Sequence, residues 1–227
     1  MSAIRILSTK KLLPSQKQFL LNAGFSVIEA DFVKTSSTAF DISLVSRNLI
    51  FTSKNAVASF LSNPKSSDFK TSKVFCVGEK TGQILESAGF NVEFSAPYAV
   101  ELLDFIRQNH PNEHFTFLCG NLRLDTLPVG LKESGISFTE IEVYRTELTP
   151  VAINAKIDGI LFYSPSGVTS YLRANPLDKQ MCFCIGTTTE AALSDKTKRT
   201  VVAHRPTTES VIIRCINFYK ENHQLQL

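Results

Sequence analysis

Five short turns carry the polar groups that chemistry would need: Thr52-Ser53-Lys54-Asn55, Val77-Gly78-Glu79-Lys80-Thr81, Cys119-Gly120-Asn121-Leu122-Arg123, Ser164-Pro165-Ser166-Gly167 and Gly186-Thr187-Thr188-Thr189. Each follows an apolar, strand-like run. Small residues let a backbone approach a ligand, and the first turn of a helix offers unpaired N–H groups and a partial positive charge. Carboxylates or phosphates suit such ends without many lysines. Capping explains any single turn equally well, because Ser, Thr and Asn are preferred N-caps anywhere. A matched set in both halves of the chain favours a ligand cleft between two domains.

Side chains for the commoner kinds of catalysis are absent. The sequence has no GxxxxGK[ST], no GxGxxG and no GxSxG. Its histidines, His110, His114, His204 and His223, show no metal-ligand spacing, and His110 and His114 flank Pro-Asn-Glu in what reads as a solvated loop. One side chain stands out. Tyr144, in Glu-Val-Tyr-Arg-Thr, brings a phenol that is a proton donor near neutral pH. It reads either as a functional group or as an ordinary half-buried strand tyrosine.

The elements around these turns recur. Phe51–Leu61 (FTSKNAVASFL) aligns without a gap on Phe162–Leu172 (FYSPSGVTSYL), and Leu20–Thr35 aligns on Leu131–Thr146, both 111 residues on. Phe75–Leu85 (FCVGEKTGQIL) matches Phe183–Leu193 (FCIGTTTEAAL) after 108 residues, and Arg205–Ile212 faces Ala96–Leu103. A displacement held over four elements indicates two copies of one small α/β unit. Within a copy, runs such as IRILST, NLIFTS, KVFCVG and NVEFSA alternate with helical stretches, and Gly24, Gly89 and Gly135 follow helix patterns as C-terminal caps. Strand–helix alternation predicts parallel sheets with helices on both faces. Two extended segments, Asp31–Ser36 and Glu142–Leu148, break the alternation at equivalent places; they are expected to run antiparallel as a two-stranded connector. Ser62–Lys73 reads as a solvated polar loop.

Composition narrows the class. The 227 residues suffice for one large or two small domains; 43% are hydrophobic and 20% charged, as in ordinary soluble proteins. The net charge of +3 comes from scattered basic residues, which permits an anionic ligand but argues against nucleic acid. No apolar run approaches the ~20 residues of a membrane span. The start, MSAIRILSTKK, lacks the pattern of a signal peptide, so a cytoplasmic protein is expected. Five cysteines without a CxxC read as reduced and structural, with Cys182 and Cys184 on one face of a strand.

Taken in order, LIFTSKNAV, VGEKTGQILESAGF, CGNLRLDTLPVGLKESGI, VYRT, FYSPSGV, IGTTTEAAL and RPTTESV resemble the uroporphyrinogen-III synthase family over nearly the whole chain. The resemblance implies two α/β domains joined by a two-stranded β connector. The first would be discontinuous, 1–34 plus 149–227, and the second 35–148. The implied reaction is cyclisation of linear hydroxymethylbilane to uroporphyrinogen III, with inversion of ring D and loss of water. By the VYRT match, Tyr144 would assist departure of the hydroxyl. Thr52, Ser53, Gly78, Thr81, Gly120, Asn121, Ser164, Ser166, Gly186, Thr187, Thr188 and Pro206 would line the cleft. Lys54 and Arg123 would supply charge, and Lys80 reads as surface. The second half has SPSG where many members carry a TSxxAV-like pattern, a departure that bears on Ser164 and Ser166. No cofactor, metal, nucleic acid or membrane is implied, the partner is the linear tetrapyrrole, and a monomer is expected. Two other classes share the frame. A two-domain binding module for an anionic small molecule would need the cleft but no special use for Tyr144. A glycosyl or phosphoryl transferase would need an acidic DxD motif, which is absent.

Overall fold

The computed structural model describes residues 4–224. The chain runs β1 (Arg5–Ser8), α1 (Pro14–Asn22), β2 (Ser26–Glu29), β3 (Val33–Ser37), β4 (Asn48–Phe51), α2 (Lys54–Leu61), β5 (Lys73–Val77), α3 (Glu79–Ser87), β6 (Asn91–Ala96), α4 (Ala99–Asn109) and β7 (Phe115–Gly120). It continues through α5 (Thr126–Glu133), β8 (Phe138–Leu148), β9 (Gly159–Phe162), α6 (Pro165–Leu172), β10 (Met181–Cys184), α7 (Thr187–Ala191), β11 (Thr200–Val202) and α8 (Thr208–Gln224).

Two compact units result: Met1–Lys34 with Glu147–Leu227, and Thr35–Thr146. The first holds a five-stranded parallel sheet, β11-β10-β9-β1-β2. The second holds six strands, β3-β8-β7-β4-β5-β6, parallel from β8 to β6. The opening β1-α1-β2 therefore shares a sheet with strands near the other end of the chain. At the edge, β3 neighbours β8. The flanking bonds Thr38 N–H to Val143 O, 2.9 Å, and Thr149 N–H to Phe32 O, 3.0 Å, have the reversed order of an antiparallel pair.

Central strands are apolar on both faces because helices cover both. In β4, Leu49 and Phe51 point into one core and Ile50 into the other. In β9, Ile160 and Phe162 face one side and Leu161 the other. Around Phe60 of α2, the rings of Phe40, Phe51, Phe69 and Phe90 stand 5.5–6.3 Å away. Burying one such ring contributes on the order of 2–3 kcal/mol. Gly24, Gly89 and Gly135 follow helix ends with φ of 82°, 81° and 69°, the left-handed conformation that terminates a helix at little cost for glycine. All five cysteines are buried thiols, with Cys182 and Cys184 in the same core.

Three expectations change. His110 is not solvated: it is 8% exposed, its ring lies against Phe75 and Phe105, and Nδ1 meets Glu113 at 2.9 Å. That hydrogen bond, with Lys73, holds the Glu113 carboxyl below its usual range. His114 is exposed, between Ser137 and Thr139. Ser62–Lys73 is no plain loop; it contains a 3-10 turn, Pro64–Phe69, that drives Phe69 into the core. And the extended segment at 142–148 is the end of a longer strand, β8, which pairs with β7 from Phe138 to Tyr144. His204 lies exposed ahead of α8, and the side chain of His223 lies outside the described part of the chain.

Candidate active site

The polar turns sit beyond the carboxyl ends of the parallel strands, where open α/β sheets place ligands. In the six-stranded unit, Thr52 and Ser53 follow β4, Gly78 follows β5, and Gly120 ends β7. Ser53 caps α2, its hydroxyl accepting from Asn55 N–H at 3.1 Å. Such a cap stabilises a helix by about 1 kcal/mol. Lys54 opens the helix, exposed.

Tyr144 enters through an irregularity of β8. Cys119 pairs with Glu142 but Gly120 pairs with Tyr144, so Val143 is one residue too many. The Tyr144 ring then covers the Gly120 backbone: a Cβ built on Gly120 would stand 2.5 and 2.8 Å from the ring's Cε2 and Cε1. The phenol is half-buried, with the Ser53 side chain nearby. Burial raises its pKa, opposed in part by the nearby Ser53 side chain. It is therefore a neutral O–H donor throughout the physiological range. Ser53, Gly120 and Tyr144 are thus brought together.

The other candidates of this unit are more committed. Asn121 Oδ1 accepts from Thr146 N–H at 2.8 Å and its Nδ2 donates to Thr146 O at 3.2 Å, prolonging the β7–β8 ladder by one side-chain rung. Arg123 forks onto Glu140 through Nε (2.9 Å) and Nη2 (3.0 Å) and also pairs with Asp125. Its charge is answered within the fold, and the Glu140 bond raises its pKa further. Gly78 has a φ of 90° and spends its N–H on Ala96 O at 2.8 Å. Thr81 is buried, 5% exposed, while Lys80 is exposed.

In the five-stranded unit, Ser164 caps α6. Its hydroxyl accepts from Gly167 N–H at 3.0 Å and stands 3.0 Å from the Ser166 hydroxyl. Gly186 precedes α7 with extended backbone, and Thr187 and Thr188 are exposed in the first turn. Pro206 is exposed in the loop before α8. Four residues not singled out by sequence gather at the same end. The Lys10 ammonium lies 4.4 Å from the centre of the Tyr163 ring and donates to Thr208 Oγ1 at 2.7 Å. Tyr163 meets the buried Ser8 hydroxyl at 3.3 Å, and burial drives its pKa upward. The available signal was position: Lys10 lies in the first strand-to-helix turn. A recess of about 490 Å³ lies instead at the amino ends of β9 and β10, against Ile157, Met181 and Tyr219. Its Tyr219 hydroxyl is already bonded to Asp158 O at 2.8 Å, and none of the turn residues reaches it.

Comparison with known proteins identifies the family and the shared fold. Residues 18–213 match the family model described as uroporphyrinogen-III synthase HemD. A protein of Chlorobaculum parvum named uroporphyrinogen-III synthase is 28% identical over 168 residues, 64% of this chain and 68% of that one. The fold is shared with the crystal structure of uroporphyrinogen-III synthetase from Helicobacter pylori, with a TM-score of 0.71 at 20% identity, covering 95% of this chain and 99% of that one. It is also shared with a mutant uroporphyrinogen III synthase from Thermus thermophilus, with a TM-score of 0.75 at 14% identity, covering 98% and 100%.

Proposed function

The chain belongs to the uroporphyrinogen-III synthase family, cyclising lyases of haem biosynthesis, and on that premise we propose that Tyr144 is its proton donor and the strand-to-helix turns its substrate-holding groups. The family reaction turns linear hydroxymethylbilane into uroporphyrinogen III. The hydroxyl leaves the terminal hydroxymethyl carbon, giving an azafulvene. The substituted α-carbon of ring D bonds to that carbon, forming a spiro intermediate. The bond joining ring D to its old neighbour then breaks, and reclosure at the other α-carbon inverts the ring. Loss of the α-proton restores the pyrrole, so water is lost overall.

Tyr144 suits the first step. A neutral phenol can donate toward the departing hydroxyl, and the nearby Ser53 side chain favours the phenolate that follows. The remaining work is holding a reactive molecule in one shape, which needs donors more than acids. We assign it to Thr52, Ser53, Lys54, Gly120, Ser164, Ser166, Gly186, Thr187, Thr188 and Pro206, with the N–H groups of their turns facing the substrate's carboxylates. Gly78, Thr81, Asn121 and Arg123, committed as described, would shape the site from behind. We place the enzyme in the cytoplasm as a monomer, with β3 and β8 connecting domains 1–34 plus 149–227 and 35–148. It would need no nucleic acid. Among the described residues, no helix is long and apolar enough to cross a membrane.

The observation that carries the reading is Tyr144 seated on Gly120 with Ser53 at its hydroxyl. A binding module for an anionic solute has no use for that arrangement, and the family match decides against it. The test is to supply fresh hydroxymethylbilane and resolve the oxidised uroporphyrin isomers by chromatography. The III isomer is expected; the I isomer alone would refute the activity.

A further inference from the structure

Val143 is the residue that β8 inserts between the pairs Cys119–Glu142 and Gly120–Tyr144. Side chains alternate along a strand, so one inserted residue decides which way the next one points. Without it Val143, not Tyr144, would stand opposite Gly120.

The inserted residue is held by its carbonyl, which accepts twice. Thr38 N–H, just past β3, donates at 2.9 Å, and the Ser59 hydroxyl donates from α2. Ser59 is 2% exposed, so its hydroxyl has no water to turn to. The same helix is capped by Ser53, whose side chain lies near the Tyr144 phenol. One helix therefore borders the hydroxyl of Tyr144 and grips the peptide just before it.

The repeat supplies an internal control. Ser170 of α6 stands where Ser59 stands in α2, and Val33 where Tyr144 stands. Ser170 Oγ is buried and finds no partner among the described residues. A serine at this helix position thus does not require such a bond, and the bond occurs in the copy that has the tyrosine.

We propose that Ser59 is a positioning residue for the reaction: by fixing the Val143 carbonyl it holds the strand irregularity that lays Tyr144 on Gly120. This rests on Tyr144 acting in catalysis. Ser59→Ala removes only the donor and leaves Thr38 on the carbonyl. We expect kcat to fall about tenfold, as small misplacements of reacting groups do, with KM changed less than twofold. Ser59→Cys, of similar volume and weaker as a donor, should recover part of the loss. In a Tyr144→Phe background, Ser59→Ala should change kcat less than twofold, because Ser59 acts through the phenol. Incorporating 3-fluorotyrosine gives a readout independent of activity. The Tyr144 fluorine resonance, identified by its loss in Tyr144→Phe, should shift or broaden in Ser59→Ala. An unmoved resonance, or an equal loss of kcat with and without the Tyr144 hydroxyl, overturns the proposal. A wild-type rate in Tyr144→Phe alone would instead refute the catalytic reading of Tyr144, which the resonance experiment does not depend on.

Discussion

Gly120 and Tyr144 face each other across β7 and β8 so closely that the space of a glycine Cβ is filled by the tyrosine ring. The glycine is needed here for the missing side chain. Gly120→Ala should therefore displace the ring, or the strand carrying it. We expect turnover to fall at least tenfold and stability to drop by roughly 1–3 kcal/mol, the usual cost of overpacking. Steady-state kinetics with thermal melting checks both; wild-type turnover would show that the ring seat is irrelevant to the reaction.

Tyr144→Phe keeps the ring on Gly120 and deletes the hydroxyl. Stability should change by no more than about 1 kcal/mol, the net worth of one hydrogen bond. Turnover should fall about 100-fold, the scale of a positioned proton donor. Rapid quench of the hydroxymethylbilane reaction separates that step from nonenzymatic closure, and an unchanged rate would remove the phenol from the mechanism.

Arg123→Gln tests a different division of labour. The guanidinium already answers Glu140 and Asp125, so its loss should appear as stability, about 1 kcal/mol for a partly exposed forked pair. The KM for hydroxymethylbilane should stay within twofold. A large rise in KM would mean that Arg123 leaves its carboxylates to meet those of the substrate.

Alkali should unfold the protein through its buried thiols and phenols. Burial moves Cys119, Cys182 and Cys184 from an ordinary 9.0 to about 12, and Tyr171 from 10.0 to about 12; Cys215, Tyr163 and Tyr219 move the same way. The folded state then holds protons that the unfolded chain releases. The contribution is complete below pH 9 and lost as pH rises toward 12. Melting temperatures measured across pH 7–11 should be level at first and fall from about pH 9. A flat profile to pH 11 would contradict the assigned burial.

Local chemistry was legible from the residues alone. The caps Ser53 and Ser164, the helix-ending glycines and the shared face of Cys182 and Cys184 depend on neighbours a few positions away. So did the parallel α/β class, since alternating strands and helices leave few other ways to bury their apolar faces. The tertiary structure decided what depends on register and on distant partners. His110 looks solvated until Phe75 and Phe105 close over it. Arg123 looks available until Glu140, on β8, takes its fork. Tyr144 is visible as a phenol in a strand. Only the extra residue at Val143, held by Ser59 and Thr38, turns that phenol onto Gly120 and toward Ser53. An inserted residue leaves no mark in composition or periodicity, because it exists only as a mismatch between two paired strands.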